Sequence, residues 1–265
     1  MVDLVRREPT AVAKLKMVMN EESVREQFKN ALAEGSSLFI SSLIEVFTGD
    51  SSLQSCNPNL VVMEALKAAT LKLPINKALG FSYLVAFDGK PTLILGYKGY
   101  IQLAVRSGQY RFLNAGVVPE GMKISHDFLT GEVTFSGSET GDPVGYFAHL
   151  ELLNGFKKTL YWTNEQILAH ARRYCSRSLA KPKSAWNTNL NEMATKSMLR
   201  QLLGKWGILS VEMIAAMNAD GDFEQTPEEQ LESKVQYALL TAETLDTKSP
   251  DEDVEGLEEE LKPAF

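Results

Sequence analysis

The sequence is short of the residues that build redox, metal and nucleophilic centres. It holds two cysteines in 265 residues, Cys56 and Cys175, far apart and without CxxC spacing, which excludes a disulfide framework and a cysteine-rich zinc site. The three histidines, His126, His149 and His170, stand alone, so no metal cage is written here. Ser125-His126-Asp127 contains the residue types of a catalytic triad, but neighbours on a strand point to opposite faces and cannot form the relay among themselves. Neither Gly-Lys pair, Gly89-Lys90 or Gly204-Lys205, has the earlier glycine and following Ser or Thr of a phosphate-binding loop. ATP-driven chemistry is therefore not expected. No apolar run approaches the roughly 20 residues that cross a bilayer, and MVDLVRREPTAVAKLKMVMN lacks the apolar core of a signal peptide. The reading is of a cytoplasmic protein with no catalytic residue, no metal and no cofactor.

What the sequence has is charge, unevenly placed. The net charge is -7, yet 15 of the 34 acids and only 3 of the 27 bases fall in 220–265, which leaves 24 bases against 19 acids in 1–219. An acidic tail conceals a basic body. Between Leu152 and Val211 the bases are Lys157, Lys158, Arg172, Arg173, Arg177, Lys181, Lys183, Lys196, Arg200 and Lys205, against Glu165 and Glu192 alone. Such a segment suits a polyanion. A metal-dependent nuclease needs carboxylates that converge on a divalent ion, and with just these two acids the segment gives that chemistry no support.

Periodicity predicts an α+β fold. Apolar residues at helical spacing mark Ala11 to Phe28 and Ser36 to Phe47, so 1–55 is read as a helical arm and a candidate oligomer contact. A helix from Leu60 to Leu73 comes next, with Asn59 as its cap and Pro74 as its stop. Asp88-Gly89, between two β-branched and aromatic runs, predicts a type I′ hairpin that pairs Leu79–Phe87 with Pro91–Tyr97. Strands are expected at Phe112–Val118, Met122–His126, Glu132–Ser136, Val144–Leu153 and Lys157–Trp162, joined by glycine-bearing turns into an antiparallel sheet. Thr163 and Gln166 form a capping box for a helix to about Tyr174, and Asn187 to Leu203 is the strongest helix in the chain. Residues 220–265 read as an acidic, partly flexible tail with one short helix at Glu228–Leu240.

Two constellations carry the functional expectation. In GYKGYIQLAVRSGQY, Gly96 and Gly99 are expected to turn the chain sharply into a helix at Tyr100–Arg106, whose unpaired amides favour phosphate, with Gly108 as its terminal glycine. Lys98, Arg106 and Arg111 supply charge there, and Tyr97 and Tyr100 offer rings on which bases stack. In WNTNLNEMATKSMLRQLLGKW, an apolar stripe is expected to bury one side of a helix while Glu192, Lys196 and Arg200 form an exposed line on another. Trp186 is a candidate for stacking or for packing.

LGFSYLVAF, LILGYKGYIQLAVRSGQ and WNTNLNEMATKSMLRQLL, in this order and spacing, resemble the RecT family of phage-encoded single-strand annealing recombinases. The resemblance covers roughly Leu60 to Ile214 and is weak in the arm and tail. It implies an ATP-independent protein that coats single-stranded DNA and anneals complementary strands into a duplex. It also implies rings or helical filaments, a phage exonuclease working 5′ to 3′ as partner, a host single-strand-binding protein nearby, and a distantly Redβ-like fold in which an antiparallel sheet lies against a long helix. Backbone contacts must then dominate, leaving base edges free. Lys98, Arg106 and Arg111 are expected on one side of a groove in a 56–219 core. Arg172, Arg173, Arg177, Lys183, Lys196 and Arg200 are expected on the other, with Tyr97 and Trp186 near the bases. A passive strand-protecting protein is the alternative, and a structural phage-assembly protein a distant third.

Overall fold

The computed structural model describes residues 9–221, all within one unit. The helix expected at Glu228–Leu240 and the remainder of the acidic tail lie outside the described residues.

The first third is helical: α1 (Ala11–Asn20), α2 (Glu22–Leu32), α3 (Ser36–Thr48), the single turn α4 (Ser51–Gln54) and α5 (Pro58–Thr70). Thr10 caps α1 by accepting from the Ala13 amide, and Asn57, two residues before the expected cap, closes the start of α5 with Pro58 in its first turn. The apolar stretch Glu22–Thr48 is long enough to cross a membrane, but its path breaks at Ala33 (φ 49°) and it turns Phe28, Phe39, Leu43 and Phe47 inward. These side chains share one core with α5, so the arm packs continuously with the body of the protein.

β1 (Ser82–Phe87) and β2 (Lys90–Leu95) form the expected hairpin, with Asp88 and Gly89 both at positive φ (51° and 75°) as type I′ requires. They are succeeded by α6 (Tyr97–Arg106), β3 (Tyr110–Pro119), β4 (Met122–His126), β5 (Val133–Gly137), β6 (Pro143–Leu152) and β7 (Lys157–Thr163). The strands divide into three antiparallel sheets, β1-β2, β3-β6-β7 and β4-β5, since the β4–β5 hairpin is inserted between two strands that pair with each other. Asp127, the last residue of the Ser-His-Asp run, builds that hairpin's turn, its Oδ1 accepting from the Leu129 and Thr130 amides.

The last third is α7 (Asn164–Tyr174), the single turns α8 (Ser176–Leu179) and α9 (Ala185–Thr188), α10 (Leu190–Trp206) and α11 (Val211–Ala219). The Thr163–Gln166 capping box is present in both directions. α10 is the central beam. One side adds Leu203 to the core built on α5, the β1–β2 hairpin, α6 and α11, and the other packs Met193, Ala194, Met198, Leu199 and Leu202 against β6 and α7 in a second core. Every residue from Met193 to Leu199 is buried, so the helix has no solvent face there.

Candidate nucleic-acid interface

Gly96 caps α6, and the helix begins at Tyr97, three residues before the expected start. Gly99 therefore lies inside the helix. A Cβ on Gly96 would overlap the Gly80 carbonyl, and one on Gly99 the Phe81 carbonyl. The two glycines let α6 press against the 80–81 backbone; they do not form the sharp hinge expected from the sequence. Lys98, exposed on the first turn, lays its aliphatic stem near Gly80, with its ammonium 6.0 Å from the Tyr97 ring centre. Tyr97 is half-buried against the second core.

The interior between α6, α10 and α11 is ionic. Lys196, 2% exposed, places Nζ 3.0 Å from Asp220 Oδ2 and 3.1 Å from Oδ1. The buried Tyr100 hydroxyl donates to Asp220 Oδ2 (2.8 Å) and accepts from Arg200 Nη1 (2.8 Å), while the Leu95 amide donates to Asp220 Oδ1 (3.2 Å). Arg200 also donates to the Met217 carbonyl (3.0 Å). Burial pushes the Tyr100 hydroxyl well above its ordinary pKa, against the pull of Arg200. Tyr100 is thus an interior hydroxyl and not a stacking ring. The exposed Glu192-Lys196-Arg200 line is corrected in part: Glu192 is exposed, but Lys196 is buried on Asp220, and Arg200 is half-buried with its guanidinium on the Tyr100 hydroxyl and the Met217 carbonyl. Trp186 is corrected too. At 3% exposure it belongs to the second core, where it leaves no ring face for a base.

The remaining basic candidates do reach the surface. Arg172 and Arg173 are exposed on the last turn of α7, where positive charge suits the helix dipole, and Arg173 lies 5.2 Å from the Tyr174 ring centre. Arg177 on α8 and Lys183 in the next turn are exposed as well. Lys181, absent from the expected set, fastens this loop to the β1–β2 hairpin: its Nζ lies 3.1 Å from Asp88 Oδ1 and 4.7 Å from the Phe87 ring centre. Asn187 staples the loop from within by donating to the Leu179 and Lys181 carbonyls. Arg106 and Arg111 go elsewhere. Arg106 Nη2 donates to the Leu71 carbonyl (2.8 Å) at the end of α5, and burial lowers its pKa. Arg111 pairs with Glu151 (3.2 Å), as does Lys157 (3.0 Å). Hydrogen bonding from Lys157 leads the effects that hold the Glu151 carboxyl below its ordinary pKa.

Sequence reasoning also missed an aromatic and basic cluster on the face of the β3-β6-β7 sheet turned away from α10. Phe135 sits 5.5 Å from Phe147 and 6.0 Å from Tyr161, centre to centre, beside His149 and Lys157. Alternation along 144–153 contained the signal: once Tyr146, Ala148 and Leu150 face the core, Phe147, His149 and Glu151 face away from it.

A model of the RecT family matches residues 37–234. The chain belongs to the RecT family. Two relatives agree: an uncharacterized protein, YqaK, of Bacillus subtilis, 39% identical over 77% of this chain and 71% of its own, and protein RecT of Escherichia coli, 30% identical over 81% of this chain and 83% of its own. Every basic and aromatic candidate lies within the RecT match. RecT proteins are annealing proteins and not classical catalytic enzymes, and this chain is a recombination-related single-strand annealing protein with the α+β fold expected of it. Among the described residues, no cluster of His, Cys, Asp and Glu is able to hold a metal ion.

Proposed function

We propose that the protein coats single-stranded DNA through its backbone and pairs it with a complementary strand without nucleotide hydrolysis. The observation that carries this reading is the exposed run of Arg172, Arg173, Arg177 and Lys183, in a segment that buries Trp186 in the second core and pairs Lys181 with Asp88 of the β1–β2 hairpin. Cations fixed on a scaffold, with few acids among them, bind phosphates without reading base edges. Lys98, exposed on α6 beside Tyr97, is in this reading a further phosphate contact.

In this reading, 56–219 is the annealing core and 1–55 the arm through which copies assemble into a ring or helical filament. Residues 220–265 form an acidic accessory region, which modulates access to DNA. A phage exonuclease supplies the single strand, a host single-strand-binding protein competes for it, and the work is done in the bacterial cytoplasm. Mixing fluorescently labelled complementary oligonucleotides, with no nucleoside triphosphate or divalent ion present, is the direct test. Faster pairing on adding protein supports annealing. Binding without faster pairing reduces the protein to strand protection, and strict ATP dependence overturns the proposal.

A further inference from the structure

The β3-β6-β7 sheet buries one face under α7 and α10 and leaves the other open. On the open face the register aligns Gly116, Phe147 and Tyr161 in one row across the three strands, with Phe112, Glu151 and Lys157 in another. The β4–β5 hairpin leans over this face through Phe135 and borders an open cavity of about 480 Å³, within the range of small-molecule sites.

Three features of this cavity and of the sheet face around it favour a nucleobase on a strand. Its walls are aromatic, with Phe135 and Phe147 lining it, and Phe112 is 60% exposed on the same face. A glycine sits where a side chain would cover a ring: a Cβ on Gly116 would meet only the Phe147 ring, at 3.4 Å, and Gly116 has no positive φ to demand glycine. The charge is also favourable: Lys157 and Lys158 line the cavity against Glu132 as the one acid in its lining, and at its edge Arg111 and Lys157 share the single carboxylate of Glu151. Rings beside cations are the arrangement on which single strands stack with little regard to sequence.

We propose that this open sheet face is a second single-strand contact, taking one unstacked base into the cavity beside Phe147 and setting the flanking phosphates on Arg111 and Lys157. The inference rests on the annealing reading above. It concerns a surface on the opposite side of the sheet from α7, separate from the Arg172–Lys183 surface.

The test is photocrosslinking of the full-length protein to an oligothymidine carrying 5-iodouracil, with crosslinked peptides mapped by mass spectrometry, together with affinity measurements at several salt concentrations. Crosslinks are expected on β6 or β7 as well as on 172–183. Gly116→Val, which covers the ring with a residue suited to a strand, should abolish the first set and keep the second. Phe112→Ala, at an exposed position that spares the core, should weaken binding about five-fold, as the loss of one stacked base of about 1 kcal/mol implies, and leave the salt slope unchanged. Lys157→Gln should reduce the slope by up to about 0.7. Crosslinks confined to 172–183, with affinity intact in Phe112→Ala and Gly116→Val, would overturn the inference and leave the annealing reading standing. A change in sedimentation mass without a change in affinity would assign the face to contact between copies and overturn it equally. If the unaltered protein bound no single strand, the annealing reading would fall first.

Discussion

Lys196 and Asp220 meet inside the protein, Nζ 3.0 Å from Oδ2, with side chains 2% and 0% exposed. The pair joins the central helix to the residue that ends α11, and the Tyr100 hydroxyl and Leu95 amide close on the same carboxylate. Removing one partner of a buried pair leaves a charge without its counter-ion, a loss of about 3–5 kcal/mol. Lys196→Ala and Asp220→Ala should each destabilise the fold on that scale in urea unfolding. The double variant Lys196→Met/Asp220→Leu should lose less than the sum of the two.

The surface cations should behave oppositely. Arg172→Ala, Arg173→Ala and Lys183→Ala should each flatten the dependence of log K on log salt by up to about 0.7 and leave the melting temperature within a degree or so, because no core contact is lost. Fluorescence anisotropy with a labelled oligothymidine at four salt concentrations measures both slope and affinity. An unchanged slope in all three would remove this surface from the DNA contact.

Gly96→Ala and Gly99→Ala test close packing. Each added methyl would strike a carbonyl of the 80–81 backbone and drive α6 outward, at a cost of about 1–3 kcal/mol. Gly89→Ala, with open space around it, should cost less, through its left-handed conformation alone.

Acid should loosen the open sheet face. Burial lowers the His149 pKa below its ordinary value, with Glu151 opposing and Lys157 assisting. The folded state thus holds the ring neutral where the unfolded state takes a proton. Its contribution is complete above about pH 6.5 and declines as pH falls from there toward the folded value. Glu151 acts in the same direction lower down, since its depressed pKa makes its contribution complete above the ordinary carboxylate range and lost as pH falls through the folded value. Urea midpoints at pH 7.5 and 5.5 should differ more in the unaltered protein than in His149→Gln.

Asp220 also fixes where the acidic region can be cut. A chain ending after Gly221, whose amide donates to the Leu93 carbonyl, should keep its stability and anneal, and should bind single strands more tightly than the full chain, with a larger gain at low salt than at high salt. A chain ending after Ala219 should lose about as much stability as Asp220→Ala. Calorimetry and anisotropy on the two truncations separate these effects.

The sequence was most legible where structure is decided within a few residues. The Asp88-Gly89 turn and the Thr163–Gln166 capping box are both set by neighbours, and both are present. So are the strands 110–119 and 143–152, whose alternation reports which face is buried. The burial of Lys196 was not legible, because its carboxylate lies 24 residues away and no helical spacing connects them. Helix periodicity assumes one wet side, and α10 has none over 193–199. The Gly96 and Gly99 contacts were hidden for a similar reason, since what they approach is a backbone some sixteen to eighteen residues earlier, which no local pattern encodes. Among the site candidates, those on α7 and α8 were read as exposed and are so, while Lys196 on α10 was mistaken for surface, and Trp186, read as stacking or packing, packs.

The position of Asp220 imposes an order on synthesis. A chain made from its N-terminus completes α6 and α10 before residue 220 exists, and domains fold as units while they emerge. Until then the Leu95 amide, the Tyr100 hydroxyl and the Lys196 ammonium lack the carboxylate on which they converge. The interior between α6 and α10 is therefore sealed late in translation, and a ribosome stalled before Asp220 displays a half-finished core to chaperones and proteases.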